Sequence, residues 1–213
     1  MKVTAFELGP FLARTLVVEA EGSDSAILVD PGFEVQGLLE ELARRCLRVK
    51  AIVLTHAHID HAYGAAEAKA AFPAAPLLLH RDDLPLFRNL AAQATVFGFP
   101  PPEPVAEDGF LADGDTVAVG EERLLVRHAP GHSPGHVVLI SHDSHPPLAL
   151  VGDVLFAGSI GRTDLWGGSL ETLERSIRQV LYTLPGATRI IPGHGEDTTV
   201  AQEMATNPFV PAR

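Results

Sequence analysis

The chain has a single cysteine, Cys46, in 213 residues. An internal disulfide is therefore excluded, and so is a site built on paired thiolates, the commonest arrangement for a purely structural zinc. Cys46 closes the stretch Leu38-Leu39-Glu40-Glu41-Leu42-Ala43-Arg44-Arg45-Cys46, which predicts packing on the apolar face of a helix rather than a nucleophile. Lysine is scarce too, with three against thirteen arginines and no basic cluster. At a formal net charge of −11 such a chain repels a phosphate backbone, so nucleic acid is not expected as a partner. No apolar run approaches the roughly eighteen residues of a membrane-spanning helix. Met1-Lys2-Val3-Thr4-Ala5-Phe6 reads as a strand rather than a signal peptide, so no membrane partner and a cytoplasmic location are expected.

What the chain does have is histidine in a telling place. Thr55-His56-Ala57-His58-Ile59-Asp60-His61 follows the apolar run Ala51-Ile52-Val53-Leu54 directly. In extended chain, residues two apart project to one face, so His56 and His58 can grip one ion. Asp60 and His61 lie beyond the strand end, where an alanine-rich helix begins, and can face a second. A lone buried histidine is ordinarily a hydrogen-bonded core residue. Three with an aspartate would bury titratable groups with no partner but one another, which is costly without a cation. Imidazole and carboxylate together suit zinc, iron or manganese.

Three later turns supply further ligand types. Leu124-Leu125-Val126 leads into Ala129-Pro130-Gly131-His132-Ser133-Pro134-Gly135-His136; Leu148-Ala149-Leu150-Val151 ends in Gly152-Asp153; Arg189-Ile190-Ile191 ends in Pro192-Gly193-His194-Gly195. Glycine beside a ligand lets the backbone approach an ion while the preceding strand holds the ligand still. His136 opens the apolar run Val137-Val138-Leu139-Ile140 and reads as a strand-start or supporting residue. His142 and His145 flank a polar loop and are expected in solvent; His80 and His128 sit at strand ends.

Taken together and in order, His56, His58, Asp60, His61, His132, Asp153 and His194 resemble the metallo-β-lactamase superfamily, over about Phe11 to His194. The resemblance implies that His56, His58 and His132 hold one metal, that Asp60, His61 and His194 hold the other, and that Asp153 bridges both beside a water or hydroxide. The implied cofactor is a pair of divalent transition-metal ions, zinc first, with iron and manganese as alternatives.

Strands are predicted at Val3 to Leu8, Ala13 to Ala20, Ala26 to Asp30, Ala51 to Leu54 and Leu77 to His80. Further strands are predicted at Thr116 to Val119, Arg123 to Arg127, Val137 to Ser141 and Leu148 to Val151. Helices are expected from Val35 to Cys46, Ala62 to Phe72 and Asp82 to Leu90. Another should start after a Ser169 cap, with a stripe through Leu173, Ile177, Val180, Leu181 and Leu184, and a last one at Thr199 and Gln202. Within Ala91 to Asp108 the run Phe97-Gly98-Phe99-Pro100-Pro101-Pro102-Glu103-Pro104 is too proline-rich for either element. It is read as a surface loop, with a lid over the site as the second reading. A hydrophobic content of 46% and the length fit one well-filled domain over residues 1–213. Stacked sheets covered by helices follow from the pattern. The resemblance sharpens this to an α/β class, a four-layer α/β/β/α sandwich with the site at one edge of the sheets.

Two ions together can activate a water, polarise a carbonyl and stabilise a leaving group, which is hydrolytic chemistry. Asp60 is the catalytic candidate, orienting the hydroxide or shuttling its proton as well as binding metal. Gly152-Asp153-Val154-Leu155-Phe156-Ala157-Gly158-Ser159-Ile160-Gly161-Arg162-Thr163-Asp164-Leu165 is similar to the short glyoxalase II-like (hydroxyacylglutathione hydrolase-like) proteins, and shares Gly-Arg-Thr-Asp with the persulfide dioxygenases. The implied substrate is a small-molecule thioester, a glutathione conjugate among the options. Arg162 is the substrate-binding candidate, since guanidinium recognises carboxylate bidentately; an internal pair with Asp164 is its other reading. Nineteen residues follow His194, too few for the helical C-terminal domain of full-length glyoxalase II, so glutathione specificity does not follow from the resemblance. The alternatives are a mononuclear iron dioxygenase using His56, His132 and Asp153, and a non-catalytic metal-binding module.

Overall fold

The apolar runs become strands, and a computed structural model, which describes residues 1–211, sorts most of them into two six-stranded sheets. The first sheet contains β1 (Lys2–Leu8), β2 (Ala13–Glu19), β3 (Ser25–Val29), β4 (Arg48–Val53), β5 (Leu77–His80) and β6 (Gly109–Leu111), in that spatial order. β1 to β3 form an antiparallel meander, whereas β3 to β6 run parallel because helical crossovers join them. Those crossovers carry α1 (Gln36–Arg44), α2 (Ile59–Ala62), α3 (Ala65–Ala71), α4 (Leu84–Arg88) and α5 (Leu90–Phe97). The second sheet starts with β7 (Thr116–Val119), β8 (Glu122–His128), β9 (Val137–Ser141) and β10 (Leu148–Gly152). A small ribbon of β11 (Leu155–Phe156) and β12 (Ser159–Ile160) and then α6 (Leu170–Ser176) follow. β13 (Arg189–Pro192) returns parallel to β10, β14 (Thr198–Thr199) pairs with β13, and α7 (Val200–Thr206) comes last.

Alternation along the strands makes both faces of each sheet apolar. Val17 and Leu28 pack on Leu38, Leu39 and Leu42 of α1, Ala68 of α3 and Leu90 and Ala94 of α5. Their neighbours Leu16, Val18, Ile27 and Val29 point the other way, against Val117, Leu124, Val126 and Leu139 of the second sheet. Beyond that sheet, Val138, Ile140 and Val151 cover Leu173, Ile177 and Leu181. Three apolar interfaces define four layers, α/β/β/α, as expected. No helix among the described residues is long and apolar enough to cross a membrane.

Several elements differ from their prediction. The helix expected over Ala62 to Phe72 is broken at Gly64, whose N–H donates to Pro31 O at 2.9 Å; a Cβ there would overlap Gly32 O and Val35 Cγ1. α2 accordingly starts earlier and includes Asp60 and His61. The helix expected at Asp82 to Leu90 is a single 3-10 turn, Arg81–Asp83, running into α4, and α5 follows it unforeseen because Leu-Ala-Ala-Gln-Ala-Thr-Val-Phe carries no clear apolar stripe. The stripe after Ser169 is real, but Ile177–Leu181 turns as π-helix. Cys46 lies past the end of α1, exposed and at φ 56°, so it does not pack on the helix face. The residues after Phe97 up to Asp108 form no regular element.

Candidate metal centre

Strand ends deliver the seven ligand-type residues to one place. β4 runs into His56 and His58, and α2 starts at once to carry Asp60 and His61. His132 stands on the turn between β8 and β9, Asp153 follows β10, and His194 follows β13. Glycines permit the close approach. A Cβ at Gly193 would overlap Asp153 Oδ1 and His61 Cε1, and one at Gly161 would overlap Asp153 O beside His132. Backbone pairing of Arg14 N–H with Gly193 O at 2.8 Å ties the His194 turn to the first sheet.

Two donor groups result. Ligand atoms of His56, His58 and His132 lie within 4.8 Å of one another, and so do those of Asp60, His61 and His194. In the first group His58 Nδ1 is 2.8 Å from His132 Nε2. In the second, His194 Nε2 is 3.2 Å from both Asp60 Oδ2 and His61 Nε2. Asp153 stands between them: Oδ1 is 3.3 Å from His61 Nε2, while Oδ2 is 3.7 Å from His132 Nε2 and 3.6 Å from His194 Nε2. His56 Nε2, His58 Nε2 and Asp153 Oδ1 are buried with no hydrogen-bond partner. Buried polar atoms without a partner are expensive, and nitrogen and carboxylate donors converging this way fit a pair of transition-metal ions.

Apart from His136, the supporting residues were not legible in the sequence. Asp30, left-handed at φ 52° just past β3, accepts from Thr55 N at 2.7 Å and Thr55 Oγ1 at 2.6 Å, and lies 3.2 Å from His61 Nδ1. Asp83 is fully buried and accepts from Ala57 N at 2.9 Å, Ser133 Oγ at 2.8 Å and Gly135 N at 2.5 Å, joining the loop of His56 to that of His132. His132 Nδ1–H donates to Arg162 O at 2.8 Å. His136 has the supporting place expected of it: its Nε2 accepts from Asp153 N at 3.0 Å, and its ring stacks on His56 at 4.7 Å. His142 and His145 are exposed, and His80 stacks on His128 away from the seven.

Burial, with His132 second, pushes the His58 imidazolium down to about 3. Burial likewise holds His56 and His136 well below the ordinary histidine range. His61 goes the opposite way. Burial opposes its charge, but the carboxylates of Asp153 and Asp60 outweigh that and raise it well above the usual value. His194 is also raised, against burial, by its bond to Asp60 and by Asp153. Burial acts to raise Asp60 and Asp153 too, yet His61 and the other histidines keep both carboxyls below their normal range.

The sequence profile of the metallo-beta-lactamase superfamily matches residues 8–194. The chain belongs to that superfamily. Among its relatives in it, a hydroxyacylglutathione hydrolase GloC of Haemophilus influenzae is 38% identical over 187 residues, 87% of each chain. Two solved members superpose closely. BLEG-1, a B3 metallo-beta-lactamase, has a TM-score of 0.89 at 34% identity over 98% of this chain and 99% of its own. TTHA1623 in a di-iron-bound form has 0.87 at 37% identity over 97% and 99%.

In this superfamily member the centre opens through a small mouth, about 100 Å³, lined by Phe11, Phe97, Gln93, Arg162 and Leu165 around His58, Asp60, His132 and Asp153. Phe11 and Phe97 meet edge to face at 5.5 Å on one bank. Arg162 is paired with Asp164 through Nε at 2.7 Å and an Nη at 2.8 Å, both side chains exposed.

Proposed function

We propose that the protein is a cytoplasmic, dinuclear metal-dependent hydrolase of small thioesters, hydroxyacyl-glutathione or a related compound. The observation that carries this reading is the position of Asp153 between two complete donor groups. His56, His58 and His132 would hold one ion, Asp60, His61 and His194 the other, and Asp153 would contribute to both. Two such ions, zinc first with iron or manganese in its place, would supply Lewis-acid polarisation of the thioester carbonyl and an activated water. The GloC relative and the di-iron form of TTHA1623 support the reaction class and the count of ions.

Asp60 is ionised, lines the mouth and retains some exposure, so it can take up a proton released near His194. Arg162 lines the same mouth, and by exchanging Asp164 for a substrate carboxylate it would position the thiol half. Against a single-iron dioxygenase stands the second donor group, which would be left as buried polar neighbours with no cation. A non-catalytic binding module has no need of two donor groups that share a carboxylate.

Purified protein should release thiol from S-lactoylglutathione anaerobically, with zinc or manganese restoring activity after chelation. Oxygen uptake with glutathione persulfide, dependent on ferrous iron and without thioester cleavage, would refute the hydrolase reading. In the same assay Arg162→Ala should raise KM for a carboxylate-bearing thioester several-fold more than it lowers kcat, because uniform binding is removed.

A further inference from the structure

An apolar groove of about 350 Å³ adjoins the mouth of the metal centre. It is lined by Pro85, Leu86, Asn89, Ala92, Val96 and Trp166, with Gln93 as the wall it shares with the mouth. The two cavities are joined a second time through the chain, since Leu165 lines the mouth and Trp166 the groove. At about 100 Å³ the mouth is smaller than the roughly 300 Å³ at which small-molecule sites begin, so a substrate has to extend beyond it.

The chemistry of the groove is one-sided. None of its lining residues is charged. Gln93 is turned inward: its Oε1 accepts from Ile59 N, and its Nε2 donates to Ala57 O and Leu86 O, all at 3.0 Å. It is a fixed wall with no N–H left for a ligand. Trp166 and Val96 are 62% and 80% exposed, a large apolar area left in water directly beside a buried reactive centre. The Trp166 turn is braced, because Gly168 N–H closes on Leu165 O at 2.9 Å and Gly167 sits so close to Pro134 that a Cβ would overlap its ring.

We infer that this groove is an acyl subsite, which takes the uncharged apolar acyl chain of a thioester whose carbonyl lies at the metal centre. The inference rests on the hydrolase reading above. With Arg162 assigned to an anionic thiol half, the acyl half is the part left for the groove. Preference for an apolar acyl chain over the short, hydroxylated lactoyl group follows, since Pro85, Leu86, Ala92, Val96 and Trp166 offer apolar side-chain surface, and Asn89, with one N–H on Pro85 O at 2.7 Å, is the one wall with side-chain N–H left for a hydroxyl.

The experiment is an acyl series on one carboxylate-bearing thiol: acetyl, butyryl and hexanoyl, with D-lactoyl for comparison. kcat/KM should rise about twofold to fourfold per methylene, the increment expected when a methylene leaves water. Trp166→Ser should cut the hexanoyl-to-acetyl ratio at least fivefold, and Trp166→Phe should keep most of it. A flat series, or a ratio that Trp166→Ser does not move in protein of normal metal content, would overturn the proposal. Trp166 is the chain's one tryptophan, so its fluorescence reads the groove without any turnover. The ketone isosteres of the hexanoyl and acetyl thioesters serve as probes. Saturable change with the hexanoyl isostere alone supports the subsite even if no thioester is cleaved, in which case the hydrolase reading fails by itself. No change with either isostere overturns it. So does a Trp166→Ser variant that turns a dimer into monomer in sedimentation while the acyl preference stays, since a second copy of the chain is then the occupant.

Discussion

Asp30 Oδ2 lies 3.2 Å from His61 Nδ1, which holds the His61 ring with Nε2 turned toward Asp153 and His194. A carboxylate behind an imidazole fixes its tautomer and raises its basicity as a ligand. Asp30→Asn should therefore weaken one of two metal sites by about 10- to 100-fold, with little effect on the other. Chelator competition on the purified variant measures this. Equal weakening of both ions would show that Asp30 supports the loop as a whole.

Metal-replete protein should carry about two transition-metal ions per chain. Asp153→Ala should lower the affinity for both, because its carboxylate reaches both donor groups, Oδ1 near His61 and Oδ2 near His132 and His194. His194→Ala should cost mainly one. Elemental analysis after dialysis reads the stoichiometry, and a wild-type value held at one ion would contradict the dinuclear assignment.

Acid should strip the two ions in order. Protons compete with metal for imidazole, and a histidine whose affinity for protons is raised loses that contest at higher pH. His61 and His194 are raised, so they take up protons above the ordinary histidine value, whereas burial keeps His58 neutral down to about 3 and His56 well below its usual range. As the pH falls, the ion of Asp60, His61 and His194 should leave first, and the one on His56, His58 and His132 should stay to lower pH. Metal content measured along a pH titration, with His194→Ala lacking the early step, checks the sign. Loss of both ions together would contradict it.

Asp83→Ala should destabilise the metal-free protein by about 3 kcal/mol, because three donors that now meet one buried carboxylate would be left without it. Denaturant unfolding after chelation gives the value. Asp83→Asn should cost less, since it keeps one acceptor, and a change within about 0.5 kcal/mol for the alanine variant would mean that water replaces the carboxylate.

Residues clustered along the chain were readable in advance. His56, His58, Asp60 and His61 fall within six positions, and the later turns repeat strand, glycine, ligand type; such patterns are local, so the sequence by itself determined which side chains could meet. Most of the longer strands were legible for the same reason, because short apolar runs bounded by turn residues are written in neighbouring residues, whereas the two- and three-residue strands Gly109–Leu111, Leu155–Phe156, Ser159–Ile160 and Thr198–Thr199 were not. The supports were decided only by the tertiary structure. Asp83 is fifty positions from Ser133, Asp30 thirty-one from His61, and Gln93 thirty-four from Ile59, and no short-range pattern separates these residues from ordinary turn and helix polar groups. Cys46 was misplaced because a four-residue spacing predicts a helical face but not where the helix stops. The groove at Trp166 has the same character: its walls come from α4, α5 and the turn before α6, and only packing brings them beside the metal centre.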